Sequence, residues 1–168
     1  MYDELTEVDI KKMEEEIHYR FSVLGPKLLE EMKRTREFGD LSENAEYKEA
    51  KREKRRNEGR IRYLENMIRT ARVIKVEPKA ADTVALFDWV TVYNEAQGKE
   101  KRIQLVTTLR QDALQGFVSK ESPLGVALMG RKIGDRVRVH VNEERSYVVE
   151  IRGIEKGKDN EDLPISGY

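Results

Sequence analysis

Two carboxylates, those of Asp40 and Glu43, stand three residues apart where one predicted helix ends near Gly39 and another begins. At that spacing both side chains can face the same side of a helix start, and their oxygens suit hard cations such as Mg²⁺. Two exposed carboxylates nevertheless make a poor cation site on their own. The same residues also fit an ordinary helix start, with Asp40 or Ser42 as N-cap and Asp40-x-x-Glu43 at capping-box spacing. From the residues alone, helix capping is the favoured interpretation.

A cluster of basic side chains follows this acidic pair along the chain. Residues 51–60 contain six basic and two acidic residues. The basic ones are Lys51, Arg52, Lys54, Arg55, Arg56 and Arg60. Such a local excess can neutralise phosphates in a chain whose overall net charge is zero. It can equally be a solvated helix face, because Glu49, Glu53 and Glu58 are within i,i+4 reach of these cations.

Helical periodicity over residues 6–76 predicts the elements that carry these side chains. Thr6 is a suitable N-cap, with Asp9 three residues later. The apolar stripe of the first helix is Ile10, Met13, Ile17, Phe21, Leu24, Leu28 and Met32. Gly25-Pro26 predicts a kink or a break within it. The second helix is expected from about 40–42 to about 72, with little to bury over residues 51–60. Two long helices with a short connection predict an antiparallel coiled-coil hairpin.

The second half of the chain changes to a period of two, which is typical of strands. Alternating segments at 89–93, 101–105, 136–141 and 146–154 predict a small antiparallel sheet. Ser122-Pro123 opens one short helix at 124–129. The predicted fold class is therefore α+β, with a helical hairpin at 1–77, a sheet domain at 78–155 and a polar tail at 156–168 that is expected to be mobile.

Composition excludes several classes of protein. The 168 residues include no cysteine and two histidines, which removes disulfide scaffolds, thiol nucleophiles and Cys- or His-rich metal clusters. The acidic N-terminus lacks the apolar region of a signal peptide, and no apolar run approaches the ~20 residues of a membrane span. A soluble, cytoplasmic protein with no membrane partner is expected.

The turn and several later segments resemble a known family. Gly-Asp-Leu-Ser-Glu-Asn-Ala-Glu-Tyr at 39–47 is similar to the signature of bacterial Gre transcript-cleavage factors, nearest their GreA branch. The likeness continues through Glu58-Gly59-Arg60-Ile61, Ala71-Arg72-Val73-Ile74, Ser122-Pro123-Leu124 and Ala127-Leu128-Met129-Gly130. It covers nearly the whole chain up to about residue 155.

The resemblance implies a function that the residues alone do not. Gre hairpins enter the secondary channel of a backtracked bacterial RNA polymerase, and two tip acids, here Asp40 and Glu43, help to hold a catalytic Mg²⁺ in the polymerase active site. The polymerase then cleaves the nascent RNA near its 3′ end and resumes synthesis. The chain would thus be a cofactor of the polymerase endonuclease and no enzyme itself, with an FKBP-like second domain on the polymerase rim. A monomer fits this role best.

Further residues acquire candidate roles by the same resemblance. RNA contacts are implied for Arg36, Lys51, Arg52, Lys54, Arg55 and Arg56. Support of the tip is implied for Ser42, Asn44 and Tyr47, although capping and packing across the hairpin explain them as well. Polymerase contacts are implied for Glu121, Ser122 and Pro123, where Ser122 as N-cap and Pro123 at the first helical position is the plain alternative.

Three other functions compete with transcript cleavage. A non-catalytic binder of the same channel would modulate or inhibit the polymerase, and the intact Asp40 and Glu43 pair argues against it. A coiled-coil adaptor with an unrelated partner would not need tip acids. A free-standing nuclease or isomerase ranks last, because the sequence shows no self-sufficient set of catalytic residues.

Overall fold

The computed structural model describes residues 2–39 and 44–167, which form two compact units. One unit comprises Tyr2 and Ile10–Ala71, and the other comprises Asp3–Asp9 and Arg72–Gly167. In this grouping residues 3–9 and the described part of the tail belong to the second unit. The domain ranges 1–77, 78–155 and 156–168 stay predictions. None of the described helices combines the length and apolarity needed to cross a bilayer.

The first unit is an antiparallel helical hairpin, as predicted. Its first arm contains α1 (Glu7–Tyr19), a π-helical segment (Arg20–Leu24) and α2 (Gly25–Arg36), and its second arm is α3 (Ala45–Thr70). The start of the second arm contacts the end of the first, at Asn44 and Thr35. Further along the second arm, Arg60 contacts Glu16, which lies nearer the start of the first, so the arms are antiparallel. The second helix begins at Ala45, later than the predicted 40–42.

The π-helical segment is the form taken by the predicted kink at Gly25-Pro26. The Gly25 N–H donates to the Arg20 carbonyl five residues back, and Pro26 has no N–H to continue the α-helical ladder. The extra residue in this turn corrects one prediction. Phe21, assigned to the buried stripe, is 74% exposed, and Arg20 lies on the inner side instead.

The second arm buries polar as well as apolar side chains. Ala50 and Leu64 of the predicted stripe are buried, and so are Asn57 and Arg60. The expectation that residues 51–60 bury almost nothing is therefore wrong. The first arm supplies partners for both residues: the Arg20 carbonyl accepts from the Asn57 amide, and the Glu16 carboxylate accepts from Arg60.

The second unit is built on a sheet of five strands, which are β3 (Trp89–Asn94), β4 (Lys99–Val106), β5 (Phe117–Ser119), β6 (Arg136–His140) and β7 (Ser146–Glu155). Their order in the sheet is β5-β4-β3-β7-β6. The pairs are antiparallel, as expected, except that the edge strand β5 lies parallel to β4. A separate parallel pair joins β1 (Glu4–Leu5) to β2 (Arg72–Val73). The α+β fold class is confirmed.

One face of the sheet carries the hydrophobic core. The short helix α4 (Pro123–Leu128) covers it with Leu124, Ala127 and the buried Leu128. Core side chains from the strands include Val90, Val92, Ile103, Leu105, Val137, Val139, Val149 and Ile151. Each buried aliphatic side chain contributes about 1.5–3 kcal/mol relative to exposure, so this face dominates the stability of the unit.

The tail after β7 contacts the rest of the second unit at several points, and its expected mobility stays a prediction. Leu163 is buried with Leu86, Phe87 and Val106. Gly157 starts this path close to the backbone of Phe87, where a Cβ would lie 1.9 Å from the Phe87 carbonyl oxygen, so only glycine fits. Further along, the Ser166 N–H donates to the Leu109 carbonyl at 2.6 Å.

A buried ion cluster around Arg110 joins three distant segments of the second unit. The Arg110 Nε lies 2.7 Å from Asp9 Oδ1, and both side chains are fully buried. Arg110 also binds the Asp159 carboxylate and donates to the Asn160 carbonyl at 3.0 Å. Asp9 additionally accepts from the Thr6 N–H at 3.0 Å, which confirms the predicted cap of α1. Breaking the cluster would leave a buried charge without its partner.

Candidate functional site

The turn of the hairpin carries the predicted catalytic acids. Asp40 and Glu43 lie outside the described residues, and so does Ser42. Their roles in Mg²⁺ binding and tip support therefore stay predictions. The described residues on either side are Gly39, which has a φ of +107° that favours glycine, and Asn44.

Asn44 ties the two arms together at the turn. Its side-chain oxygen accepts from the Tyr47 N–H at 3.0 Å and so caps α3. Its amide nitrogen donates to the Thr35 carbonyl of α2 at 2.6 Å. One amide thus satisfies a donor at the start of one helix and an acceptor near the end of the other. These two bonds show that Asn44 supports the tip by capping α3, which is the structural one of its candidate roles.

Substitutions of Asn44 separate these two bonds. Asn44→Ala is expected to destabilise the hairpin by about 1 kcal/mol or more, because it removes the cap and the bridge to Thr35. Asn44→Asp keeps an acceptor for the cap and loses the donor, so an intermediate loss is expected. Thermal melting followed by the helical circular dichroism signal measures both. Asn66→Ala, at an exposed position of α3, is the matched control and should stay within about 0.5 kcal/mol. Equal stability of Asn44→Ala and the control would contradict this role.

Two other residues with predicted roles, Arg36 and Tyr47, lie on either side of the turn. Arg36 is exposed in the last turn of α2, and Tyr47 is half-buried in the first turn of α3. The neighbouring Arg34 forms an ion pair with Glu31 at 2.6 Å and stacks over the Phe38 ring. The exposure of Arg36 leaves both of its predicted roles open, which are contact with a partner and pairing with the tip carboxylates.

The basic cluster of α3 is laced with ion pairs along the helix. Arg52 pairs with Glu49, Lys54 with Glu58 and Arg56 with Glu53, at 2.9, 2.5 and 2.7 Å respectively. Lys51 and Arg55 are exposed on the same helix. Exposed i,i+3 and i,i+4 pairs contribute at most about 1 kcal/mol each, so a phosphate can replace the carboxylate at little cost.

Arg60 stands apart from the rest of this cluster. It is buried against the first arm, where its Nε donates to Glu16 at 2.9 Å. Sequence reasoning missed this cross-arm set, which also includes Arg20 and Asn57. A signal for it exists in the sequence, since Asn57 and Arg60 fall in the gap of an otherwise apolar stripe, where polar residues must find partners.

Two paired carboxylates of the hairpin, those of Glu58 and Glu31, are held in their charged form. The hydrogen bond from Lys54 lowers the pKa of Glu58, and the hydrogen bond from Arg34 lowers the pKa of Glu31 in the first arm. Both groups are thus anionic at neutral pH. Glu58 therefore screens Lys54 in the free protein, so the surface of α3 is less positive than its basic residues alone indicate.

The predicted polymerase contacts lie at the start of α4. The Ser122 hydroxyl accepts from the Gly125 N–H at 3.1 Å and donates to the Ser119 carbonyl at 2.7 Å, so Ser122 is the N-cap. Glu121 and Pro123 are exposed beside it. Ser122 thus has the helix-capping role that was its plain alternative. Glu121 and Pro123 stay exposed, so a partner can contact them.

Two family models match the chain and together span it from residue 4 to residue 156. The model described as transcription elongation factor, N-terminal, matches residues 4–73. The model described as transcription elongation factor, GreA/GreB, C-terminal, matches residues 69–156. The first range contains the hairpin with its turn, and the second contains the sheet and α4.

Individual relatives agree with both models. The transcription elongation factor GreA of Thermoanaerobacter pseudethanolicus is 43% identical over 137 residues, which cover 82% of this chain and 87% of the relative. GreA of Bacillus licheniformis is 40% identical over 80% of this chain and 85% of the relative. GreA of Oenococcus oeni is 33% identical over 92% of this chain and 95% of the relative.

Proposed function

Because the chain belongs to the GreA/GreB family of transcription elongation factors, we propose that it rescues backtracked bacterial RNA polymerase by stimulating transcript cleavage. The observation that carries this proposal is the unbroken match of both family models across the hairpin and the sheet domain. The chain acts as a factor, and the polymerase supplies the endonuclease. The proposed partners are RNA polymerase and the 3′ end of its nascent RNA, and the chain acts as a monomer.

The hairpin delivers its turn to the polymerase active site through the secondary channel. Two features of the described residues support this role. Asn44 links the ends of both arms, so the residues between them start from a fixed pair of helix ends. Arg36 is exposed beside the turn, where it can bind RNA phosphate or polymerase carboxylates.

Asp40 and Glu43 would hold Mg²⁺ together with the polymerase. The donor chemistry fits, because Mg²⁺ takes oxygen ligands and is commonly bound by one or two carboxylates, with substrate phosphates and water in its remaining positions. When bound, the ion supplies Lewis-acid stabilisation and a more acidic water for phosphodiester hydrolysis. The two side chains contribute negative charge and orientation. Among residues 2–39 and 44–167, no group of three or more His, Asp or Glu side chains is placed to hold a metal ion.

The exposed face of α3 would bind the extruded RNA through its phosphates. Lys51, Arg52, Lys54, Arg55 and Arg56 lie along the arm that leads away from the turn. Contacts of this kind are independent of sequence and sensitive to salt. The second domain would bind the polymerase through the exposed Glu121 and Pro123 at the start of α4.

Neutralising Lys51 and Arg55 together is expected to weaken binding to backtracked complexes and to reduce its salt dependence. The slope of log K against log salt should fall by about 1.4 for two lost single-strand phosphate contacts, at about 0.7 each. Titration of the Lys51→Gln/Arg55→Gln variant at several salt concentrations measures this slope. The control is Lys27→Gln/Lys33→Gln, which removes two exposed charges from α2. Equal slopes for both variants would exclude RNA contact at this face.

The direct test is transcript cleavage by stalled, backtracked elongation complexes in the presence of Mg²⁺, with polymerase binding measured in parallel. The proposal predicts binding together with faster cleavage and recovery of elongation. Binding without cleavage would identify a channel-occupying modulator instead. Absence of binding would reject the polymerase as partner and favour the coiled-coil adaptor.

A further inference from the structure

A set of four polar side chains joins the arms of the hairpin well below its turn. We call Glu16, Arg20, Asn57 and Arg60 the polar clasp. Glu16 Oε1 accepts from Arg20 Nε at 2.8 Å and from Arg60 Nε at 2.9 Å. The Asn57 amide donates to the Arg20 carbonyl at 3.0 Å, and its oxygen accepts from Arg20 Nη1 at 3.2 Å. The clasp thus crosses between the arms at two levels.

The backbone of the first arm is shaped to receive Asn57. The Arg20 carbonyl lies at the start of the π-helical segment, where it accepts from the Gly25 N–H and from the Asn57 amide. A Cβ at Gly25 would lie 3.0 Å from the Arg20 oxygen and 3.7 Å from the Asn57 nitrogen. The π-helical turn, Gly25 and Asn57 therefore depend on one another, because all three meet at the Arg20 carbonyl. Single π-helical turns within α-helices are common at functional sites.

The electrostatics of the clasp keep it charged. Burial by itself would raise the pKa of Glu16, but the hydrogen bonds from Arg60 and Arg20 outweigh burial and leave this pKa below its ordinary value. Glu16 is consequently anionic at neutral pH and attracts both guanidinium groups. A buried ion pair of this type adds little net stability relative to apolar packing, so its value to the protein lies elsewhere.

Buried polar groups do fix alignment between helices. An apolar seam can slide by one helical turn, about 5.4 Å, and still bury its side chains. Sliding the clasp by one turn would separate Asn57 and Arg60 from their partners, and each buried unsatisfied group costs about 1–3 kcal/mol. The clasp therefore favours the observed alignment of the two arms over alignments that are shifted by one helical turn.

We propose that the polar clasp is a positioning device that sets the alignment of the two arms and thereby places the turn, with Asp40 and Glu43, for transcript cleavage. This proposal rests on the proposed function. Asn57 is the positioning residue that the test addresses. In Asn57→Leu, Arg20 Nε keeps Glu16 as partner and the Arg20 carbonyl keeps the Gly25 N–H. Arg20 Nη1 loses its acceptor, but this side chain is partly exposed and can bind water.

The test separates stability from alignment. Asn57→Leu is expected to melt at the same temperature as the wild type or higher, because apolar burial replaces a polar contact. It should bind polymerase within about twofold of the wild type. The rate of cleavage at saturating factor should fall by about 10- to 100-fold, because a misplacement of catalytic groups by about 1 Å can cost up to about 100-fold. Asn66→Leu, at an exposed position of α3, is the matched control and should cleave normally.

Alignment itself is measured by distances between spin labels. The chain has no cysteine, so Lys33→Cys with Lys48→Cys supplies one exposed label on each arm. A single narrow distance is expected in the wild type, and a broadened or second distance in Asn57→Leu. If Asn57→Leu fails to fold, Asn57→Ala takes its place in the test, because alanine fits the same space without crowding. Asn57→Ala should then show the same broadened or second distance.

Two results would overturn the proposal, namely an unchanged narrow distance in both Asn57 variants, or normal cleavage at saturation despite a broadened one. If the wild type itself fails to stimulate cleavage, the proposed function and the placement of the turn fail together. The label distances still decide whether the clasp aligns the arms.

Discussion

Asp40→Asn combined with Glu43→Gln is expected to reduce the stimulation of transcript cleavage at least about 100-fold, the scale on which removal of a single electrostatic group slows an enzyme. Polymerase binding should stay within about twofold, because the contacts assigned to α3 and α4 are untouched. These substitutions preserve side-chain size and remove the charges needed for Mg²⁺. They leave Asn44, the N-cap of α3, unchanged. Cleavage rates at saturating factor in backtracked complexes provide the measurement.

Exposed acids that flank the turn provide the control. Glu37→Gln and Glu46→Gln each remove one negative charge from a described, exposed position beside it. Both should stimulate cleavage normally. If the double variant also stimulated at the wild-type level, the two acids would have no role in cleavage. Equal losses in the control and the double variant would point to the overall charge of the tip.

Arg110→Ala is expected to destabilise the second unit by about 3–5 kcal/mol, because it leaves the buried Asp9 carboxylate without its partner. Asp159 and the Asn160 carbonyl lose their contacts in the same step, which also detaches the tail. Urea unfolding followed by tryptophan fluorescence measures the effect. The chain has one tryptophan, Trp89, which lies in β3 of this unit.

Arg136→Ala is the matched control for this prediction. Arg136 pairs with Glu95 at 2.6 Å on the surface of the same unit, and its side chain is 63% exposed. Loss of such a pair should cost at most about 1 kcal/mol. A similar unfolding midpoint for both variants would mean that water compensates Asp9 when Arg110 is removed.

Much of the fold could be predicted from periodicity. The apolar stripe of α1 and α2 and the strict alternation at 136–141 specify helix and strand because each pattern buries one face. The Thr6 cap was predictable for the same local reason, since both partners lie within one turn. The fate of Phe21 was not predictable in this way, because the π-helical turn rotates the following residues and the sequence pattern assumes a uniform helix.

The tail and the clasp escaped prediction for another reason. Their partners are distant in sequence, so composition shows polar residues without showing what they contact. Asp159 is paired with Arg110, and Asn57 with Arg20, across separations of 49 and 37 residues. The acids at the turn were found through the resemblance of a nine-residue motif, since physics alone explains the same residues as a helix start.

The Arg110 cluster has a consequence for the order in which this chain folds on the ribosome. Asp9 is made before Arg110 and long before Asp159, yet both carboxylates bind the same guanidinium. The polar clasp needs only residues up to 60 and can form before either pairing. Domains usually fold in the order in which they are made. Here the segment of Asp9 has to wait for residues far downstream before its ion cluster is complete.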